Sequence, residues 1–300
     1  MRTDVIYESQ GVDEDVAKKA TEIAVRIRGI DSRLRKEHDP DDPFEAALMT
    51  RTVCKEWMRV PDPTGGRDWA YQVAASMGYY PDWGRVIGKA GRDATGEADF
   101  EITVNMCMIH EMWDKGLDIL EETVAHELMH TKTNMREGSL GNKARTWSVT
   151  DILRSHDPGL PIKKEGKTEY DPFLFSKYFL SKNEMTSYVQ EIYSFMRENT
   201  LLAIARHNTV DKEWFENTLK MSFAYKHLCK TRQYVKEMDA DKVEEFINAA
   251  GKDRLKKILG VSTPHDFERV FAKRIKDMGI KIIKAAYKGY CDAKKLREKK

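Results

Sequence analysis

His126, Glu127 and His130 stand in the order His-Glu-Leu-Met-His, a spacing suited to metal-assisted hydrolysis. Residues four apart lie one above the other on a single face of an α-helix, so two imidazoles at this separation reach one ion. Glu127, between them, can act on a water held at that ion and take its proton. Random placement of the 8 histidines and 25 glutamates among 300 residues gives roughly 0.02 such pentapeptides.

Leu117, Leu120, Val124 and Leu128 recur at steps of three and four, and Ile119, Thr123, His126 and His130 form a neighbouring stripe. The pattern predicts one amphipathic helix over 117–133. Asp118, Glu121 and Glu122 suit its first turn, and Asn134 and Gly138 mark where it can stop. Upstream, Phe100, Ile102, Val104, Met106 and Met108 alternate with Glu101, Thr103, Asn105 and Cys107, which predicts a half-buried strand leading directly into the helix. Cys107 on that strand is expected to be a buried thiol.

Over residues 98–200 the chain resembles the zincin metallopeptidases, in which such a strand forms the edge along which an extended substrate lies. The metzincin continuation HExxHxxGxxH is absent, since Thr133 and Arg136 occupy the glycine and final histidine positions. The gluzincin-like alternative draws its third ligand from a glutamate on a later helix. Met185, Val189, Ile192 and Met196 predict such a helix over 183–196, with Glu184, Ser187, Tyr188 and Glu191 on another face. Asn183-Glu184 stands where the family pattern NExxxD places its ligand, but Tyr188 replaces the aspartate that would steady a histidine. Glu191, one turn further on, can substitute. The resemblance therefore implies one zinc ion, Zn2+, on His126, His130 and Glu184, with Glu137, Asp151, His156 and Asp171 as alternatives to Glu184.

The ion would activate water against a peptide carbonyl while Glu127 moves the proton to the leaving amine. Tyr188, Tyr170, His207 and His227 are chemically able to stabilise the oxyanion, and Tyr188 is taken with Glu127 as catalytic. The Tyr-rich stretch running into a Glu-rich helix, Tyr178 to Glu191, also resembles uncharacterised zincin-like proteins encoded by tailed phages.

The rest of the chain supplies the frame. Residues 1–97 read as a mostly helical region: Val16, Ala20, Ile23, Ala24 and Ile27 trace one helical face, and Phe44, Ala47, Leu48 and Val53 another. His-Asp-Pro-Asp-Asp-Pro at 38–43 reads as a turn and cap, and the glycine-rich 81–97 as a loop without a phosphate-loop ending. A second loop is expected over 155–172. Residues 98–200 form the catalytic core, and 201–300 a helical, basic lobe in which Thr263 and Pro264 start a helix that ends before Gly279. The expected fold is α+β and mainly helical, with a small sheet packed on the HExxH helix.

Residues 251–300 hold 16 Lys and Arg against 6 Asp and Glu, a surplus of ten inside a whole-chain charge of +2. Lys281, Lys284, Lys288, Lys294, Lys295, Arg297, Lys299 and Lys300 there suit phosphates on nucleic acid or an acidic partner, and a solvated helix face with a frayed terminal tail accounts for them as well. Cys54, Cys107, Cys229 and Cys291 form no CxxC pair, which fits a reducing interior. Neither a secretory leader nor an apolar run of membrane-spanning length is visible. The expectation is a cytoplasmic zinc metallopeptidase acting on a protein or peptide, without membrane attachment. The alternative is a nucleic-acid-binding or assembly protein with a structural or degenerate zincin-like core.

Overall fold

The computed structural model describes residues 12–50, 53–54, 60–61, 70–81, 87–139, 162–164, 167–169 and 172–298. Helix α1 (Glu14–Glu37) starts where the Asp13 carboxylate accepts the amide of Val16, with Glu14 and Asp15 at the positive end of the helix dipole. Its expected face, Val16 to Ile27, is buried. In α2 (Pro43–Met49), Asp42 caps and Pro43 opens the helix, as the 38–43 segment suggested. Its expected face is corrected: Ala46 and Met49 turn inward, while Phe44 is 73% and Leu48 45% exposed. Val53 belongs to the following strand instead.

A four-stranded mixed sheet runs in the order β1 (Val53–Cys54), β4 (Val73–Gly78), β6 (Phe100–Asn105), β5 (Gly88–Arg92). β4 and β6 are parallel, with Ala75 opposite Ile102, and the outer pairs are antiparallel, with Gly88 opposite Val104. The short strands β2 (Val60–Pro61) and β3 (Ala70–Tyr71) make a separate antiparallel pair. Strands thus occupy stretches that read as helix, turn or loop. β4 is buried at every position and shows no alternation, and β5 is a polar edge in the supposed 81–97 loop. The presumed edge strand is also corrected, because β6 is paired on both sides and β5 forms the outer edge beside it.

β6 ends at Asn105, short of the alternating methionines. The buried Asn105 side chain accepts the amides of Tyr80 and Cys107 and donates to the Tyr80 carbonyl, which closes the strand and caps α3 (Met106–Asp114). A helix therefore separates the strand from α4 (Leu120–Ser139), and Cys107 lies in the first turn of α3, partly buried, with its thiol pushed up by burial. α4 begins where Asp118 accepts the Leu120 amide and continues through Asn134 and Gly138 to Ser139. Leu117, Leu120, Val124 and Leu128 face the core as expected.

Strands β7 (Ile162–Lys164) and β8 (Lys167–Glu169) pair within the expected 155–172 loop. After α5 (Pro172–Phe179) comes α6 (Lys182–Ala205), capped by Ser181 and buried almost all round between Glu184 and Met196. The remainder is helical: α7 (Lys212–Met221), α8 (Phe223–Tyr234), α9 (Ala240–Ala250), α10 (Lys252–Leu259) and α11 (Pro264–Glu298). Thr263 and Asp266 exchange hydrogen bonds at the start of α11, but the helix passes through Gly279 and runs for 35 residues. The fold is α+β and mainly helical.

α4 is packed against β5 and β6 on one side and against α1 and α6 on the others, and α11 lies along α6. One hydrophobic core joins them, from Val16 to Ala286. No helix among the described residues is long and apolar enough to cross a membrane.

Two glycines of α11 separate close packing from mere permissiveness. A β-carbon at Gly289 would press into the Tyr193 carbonyl and lie 3.2 Å from the Arg197 nitrogen, whereas at Gly279 it would meet only Leu228 Cδ2 at 3.5 Å. Gly289→Ala is expected to destabilise the fold by about 1–3 kcal/mol or more, through overpacking of α11 on α6. Gly279→Ala is expected to be neutral or stabilising by up to about 1 kcal/mol. Urea unfolding of the two variants checks the contrast, which similar values would contradict.

Candidate metal centre

α4 and α6 bring three of the expected site residues together. His126 Nε2 and His130 Nε2 lie 2.9 Å apart, and the Glu184 carboxylate stands 3.3 Å from His130 Nε2 and 3.6 Å from His126 Nε2. The three ligand atoms fall within 4.8 Å of one another. Around a tetrahedral zinc with bonds of about 2.0–2.1 Å, donor atoms sit about 3.3 Å apart, so the group is close to a coordination shell. Local rules place each one. The helical repeat stacks the histidines, and the Ser181 cap sets the first turn of α6, from which Glu184 projects.

The histidine rings are held from behind. His126 Nδ1 lies 2.7 Å from Glu191 Oε2, and Glu191 Oε1 accepts the Ala224 amide of α8 at 3.1 Å. A carboxylate only accepts, so the neutral, metal-binding form of His126 carries its proton on Nδ1 and turns the lone pair of Nε2 inward. His130 Nδ1 has a looser partner in Ser187 Oγ at 3.4 Å. Glu191 thus stands where the missing aspartate at position 188 left the support of a histidine open.

Charge within the cluster is unevenly distributed. Burial opposes protonation of His126, but Glu184 and Glu191 outweigh it and hold its pKa well above the usual imidazole value. Burial drives His130 down to about 4. The two Nε2 atoms, 2.9 Å apart, converge on a space that a cation fits. Burial raises Glu184, yet His130, His126 and Tyr178 outweigh it and leave its pKa lowered. Glu184 Oε2 is buried without a hydrogen-bond partner among the described residues. An anionic carboxylate with an orphaned oxygen, facing two convergent imidazole nitrogens, fits a divalent cation.

Glu127 lies one residue along α4 from His126 and is buried against β5. Burial pushes its carboxyl up to about 7, with Glu184 and Glu191 adding to the rise and His126 opposing it. Gly88 of β5 makes the approach possible, since a β-carbon there would lie 3.0 Å from Glu127 Cγ and 2.9 Å from Thr123 Cγ2. A carboxyl poised near neutrality beside a metal-binding group can take and return a proton.

Among the proposed oxyanion donors, His207 is exposed at the C-terminal end of α6, 23 residues beyond Glu184 or about 34 Å along the helix, and drops out. Tyr170 lies outside the described residues, as do the alternative ligands Asp151, His156 and Asp171; the side chain of Glu137 is likewise outside them. Tyr188 is buried edge-on against the His126 ring, with centroids 4.9 Å apart, but its hydroxyl lies 2.9 Å from His227 Nδ1. Tyr178 of α5, not singled out as a donor in the sequence, faces the Glu184 carboxylate, and burial together with that charge keeps its phenol protonated. Its one sequence signal was its place in the Tyr-rich run before the Glu184 helix.

No protein-family model matches the chain. No curated protein and no solved structure matches it either.

Two measurements follow from this geometry. Removal of the Glu191 brace by Glu191→Ala is expected to weaken Zn2+ affinity about 10–100-fold in competition with a chelator; unchanged affinity would deny Glu191 its supporting role. His227, enclosed by Phe175, Phe179 and Tyr188, is lowered by burial, and secondarily by Lys230, from 6.5 to about 4. Its neutral form is thus favoured by folding, and the stability it contributes is complete above about pH 6.5 and lost as pH falls to about 4. The unfolding free energy of the wild type should fall more steeply across that window than that of His227→Gln. Parallel curves would contradict this.

Proposed function

We propose that the protein is a metal-dependent hydrolase of peptide bonds, a gluzincin-like metallopeptidase with His126, His130 and Glu184 as the ligands of one Zn2+. The observation that carries this reading is the convergence of those three side chains from two helices, with the near-neutral carboxyl of Glu127 beside them. Bound there, zinc would supply a Lewis acid that polarises the scissile carbonyl and makes water a nucleophile near neutral pH.

The chain's own residues supply the rest. Glu127 accepts the proton of the attacking water on its carboxylate and hands it to the departing amine nitrogen. Glu191 keeps His126 in the tautomer that presents Nε2 to the ligand cluster. Tyr178 is hydrogen-bonded to Glu184, and we assign it the donation to developing charge on the carbonyl oxygen, which it would make once Glu184 is engaged as a ligand. Tyr188 we assign to orienting the site, because its hydroxyl is already engaged by His227. The alternative of a degenerate core on a nucleic-acid-binding protein drew on the missing aspartate at 188 and on the basic tail. Glu191 now answers the first, and two of the tail lysines are engaged within the fold, Lys288 by Glu14 and Asp292 and Lys294 by the Val210 carbonyl.

Metal analysis with a proteolysis assay tests the proposal. The purified chain is expected to retain about one zinc per molecule, and Glu127→Gln to keep the metal while cleavage of a casein substrate falls by at least about 100-fold. A wild type unable to take up zinc, or a mutant as active as the wild type, would overturn it.

A further inference from the structure

On a face that shares no residue with the metal centre, α1, α6 and α11 enclose an open groove of about 840 Å³. Its α1 wall is formed by residues 14, 17, 18, 21, 22, 25 and 26, a single stripe at helical spacing about 18 Å long. Tyr193 and Arg197 of α6 form the floor, and the α11 wall includes Lys295 and Leu296.

The charge of this groove is one-sided. Its lining holds five cations, Lys18, Arg26, Arg197, Lys288 and Lys295, against Glu14, Glu22 and Asp292. Each of those acids is tied to a lysine of the fold: Glu14 and Asp292 to Lys288, at 3.1 and 2.7 Å, and Glu22 to Lys19 at 2.7 Å; Lys288 is engaged by the first two and Arg197 by Glu121, so the positive surplus rests chiefly on Lys18 and Lys295. The lips are apolar, for Val25 is 59% and Leu296 43% exposed, two of the few large aliphatic side chains left open to solvent. A groove with a positive surplus and aliphatic lips between helices suits a partner that carries both carboxylates and an apolar stripe.

We infer that this groove docks an acidic, amphipathic helical segment of a protein partner. Nucleic acid fits it less well. The exposed lips are aliphatic, and the aromatic lining residue Tyr193 has the Lys288 ammonium 5.0 Å from its ring centroid and its hydroxyl on Asp292, so no open stacking surface is presented to bases. Arg197 links the groove to the metal helix, since its guanidinium holds Glu121 of α4 at 3.0 Å as well as Thr21 of α1. The docking surface does not depend on the peptidase reading, and binding rather than cleavage reports it.

The test is fluorescence anisotropy at low salt with the full chain as Glu127→Gln, so that no probe is consumed. Three labelled probes are compared: a synthetic helical peptide of about four turns with leucines on one face and glutamates elsewhere, its scrambled counterpart without the stripe, and an oligothymidine. Saturable binding of the striped peptide at least about tenfold tighter than of the scrambled one, weakened about tenfold by Lys18→Glu with Lys295→Glu and also by Val25→Asp, is expected. Equal binding of both peptides, or binding that both variants leave intact, would overturn the inference. So would oligothymidine binding tighter than the peptide and lost in the charge-reversed variant, which assigns the groove to nucleic acid. Self-association in sedimentation that Val25→Asp abolishes would assign it to a second copy and overturn it equally.

Discussion

The site depends on one constraint: α4 and α6 must keep a fixed register, because the candidate ligands come from both. His126 and His130 are fixed to each other by the helical repeat alone, but Glu184 joins them only if α6 is held to within a fraction of a turn. The hydrogen bond from His126 Nδ1 to Glu191 Oε2 sets that register from inside. It ties the middle of α4 to α6 two turns beyond Glu184, and the Ala224 amide anchors the same carboxylate to α8. Around it Gly289 lets α11 settle on the Tyr193–Arg197 backbone, and α1 closes the opposite side of α4. Hydrophobic burial supplies the driving force for this packing, and the charged pair selects one alignment from those that burial would allow.

The arrangement concentrates acid in a dry place. Glu121, Glu122, Glu127, Glu184, Glu191 and Glu198 are all buried, and the fold deals with them differently. Arg28 bridges Asp118 and Glu198, and Arg197 holds Glu121, which carries ionic links from α1 and α6 to the start of α4. Glu122 has no such cation among the described residues. Burial, with Glu191 and Glu198 close by, raises it well above the usual carboxylate range. At the ligand cluster the surplus is met by His126, and a divalent ion would meet it more fully. Metal and fold are expected to support each other, since a preformed anionic cluster gains from the cation that the unfolded chain cannot gather.

Much of the site was legible in the sequence, and the reasons are local. The pairing of His126 with His130 follows from the helical repeat, the course of α6 from the apolar stripe Met185, Val189, Ile192 and Met196, and Glu184 was singled out by the likeness of Asn183-Glu184 to the gluzincin pattern, while the Ser181 cap that starts the helix was not read. Those features require no knowledge of distant contacts. The sheet was harder to read. β4 is buried on both faces and loses the alternation that marks a strand, and β5 is a glycine-containing polar edge whose form comes from pairing with β6. The strand over 100–108 was read too long because the methionine alternation continued, while the buried side chain of Asn105 ended it. Gly279 did not stop α11, since packing along α6 outweighs the modest cost of one glycine. Tyr178 and Gly88 were missed because their importance lies wholly in what folding brings beside them.

X-ray absorption at the zinc edge of the metal-loaded protein tests the central claim most directly. The account expects a shell of light donors at about 2.0–2.1 Å containing two imidazoles and a carboxylate oxygen, with Glu184→Ala losing the carboxylate while both imidazoles persist. A shell with fewer than two imidazoles, a sulfur-ligated ion, or a spectrum that Glu184→Ala leaves unchanged would contradict it.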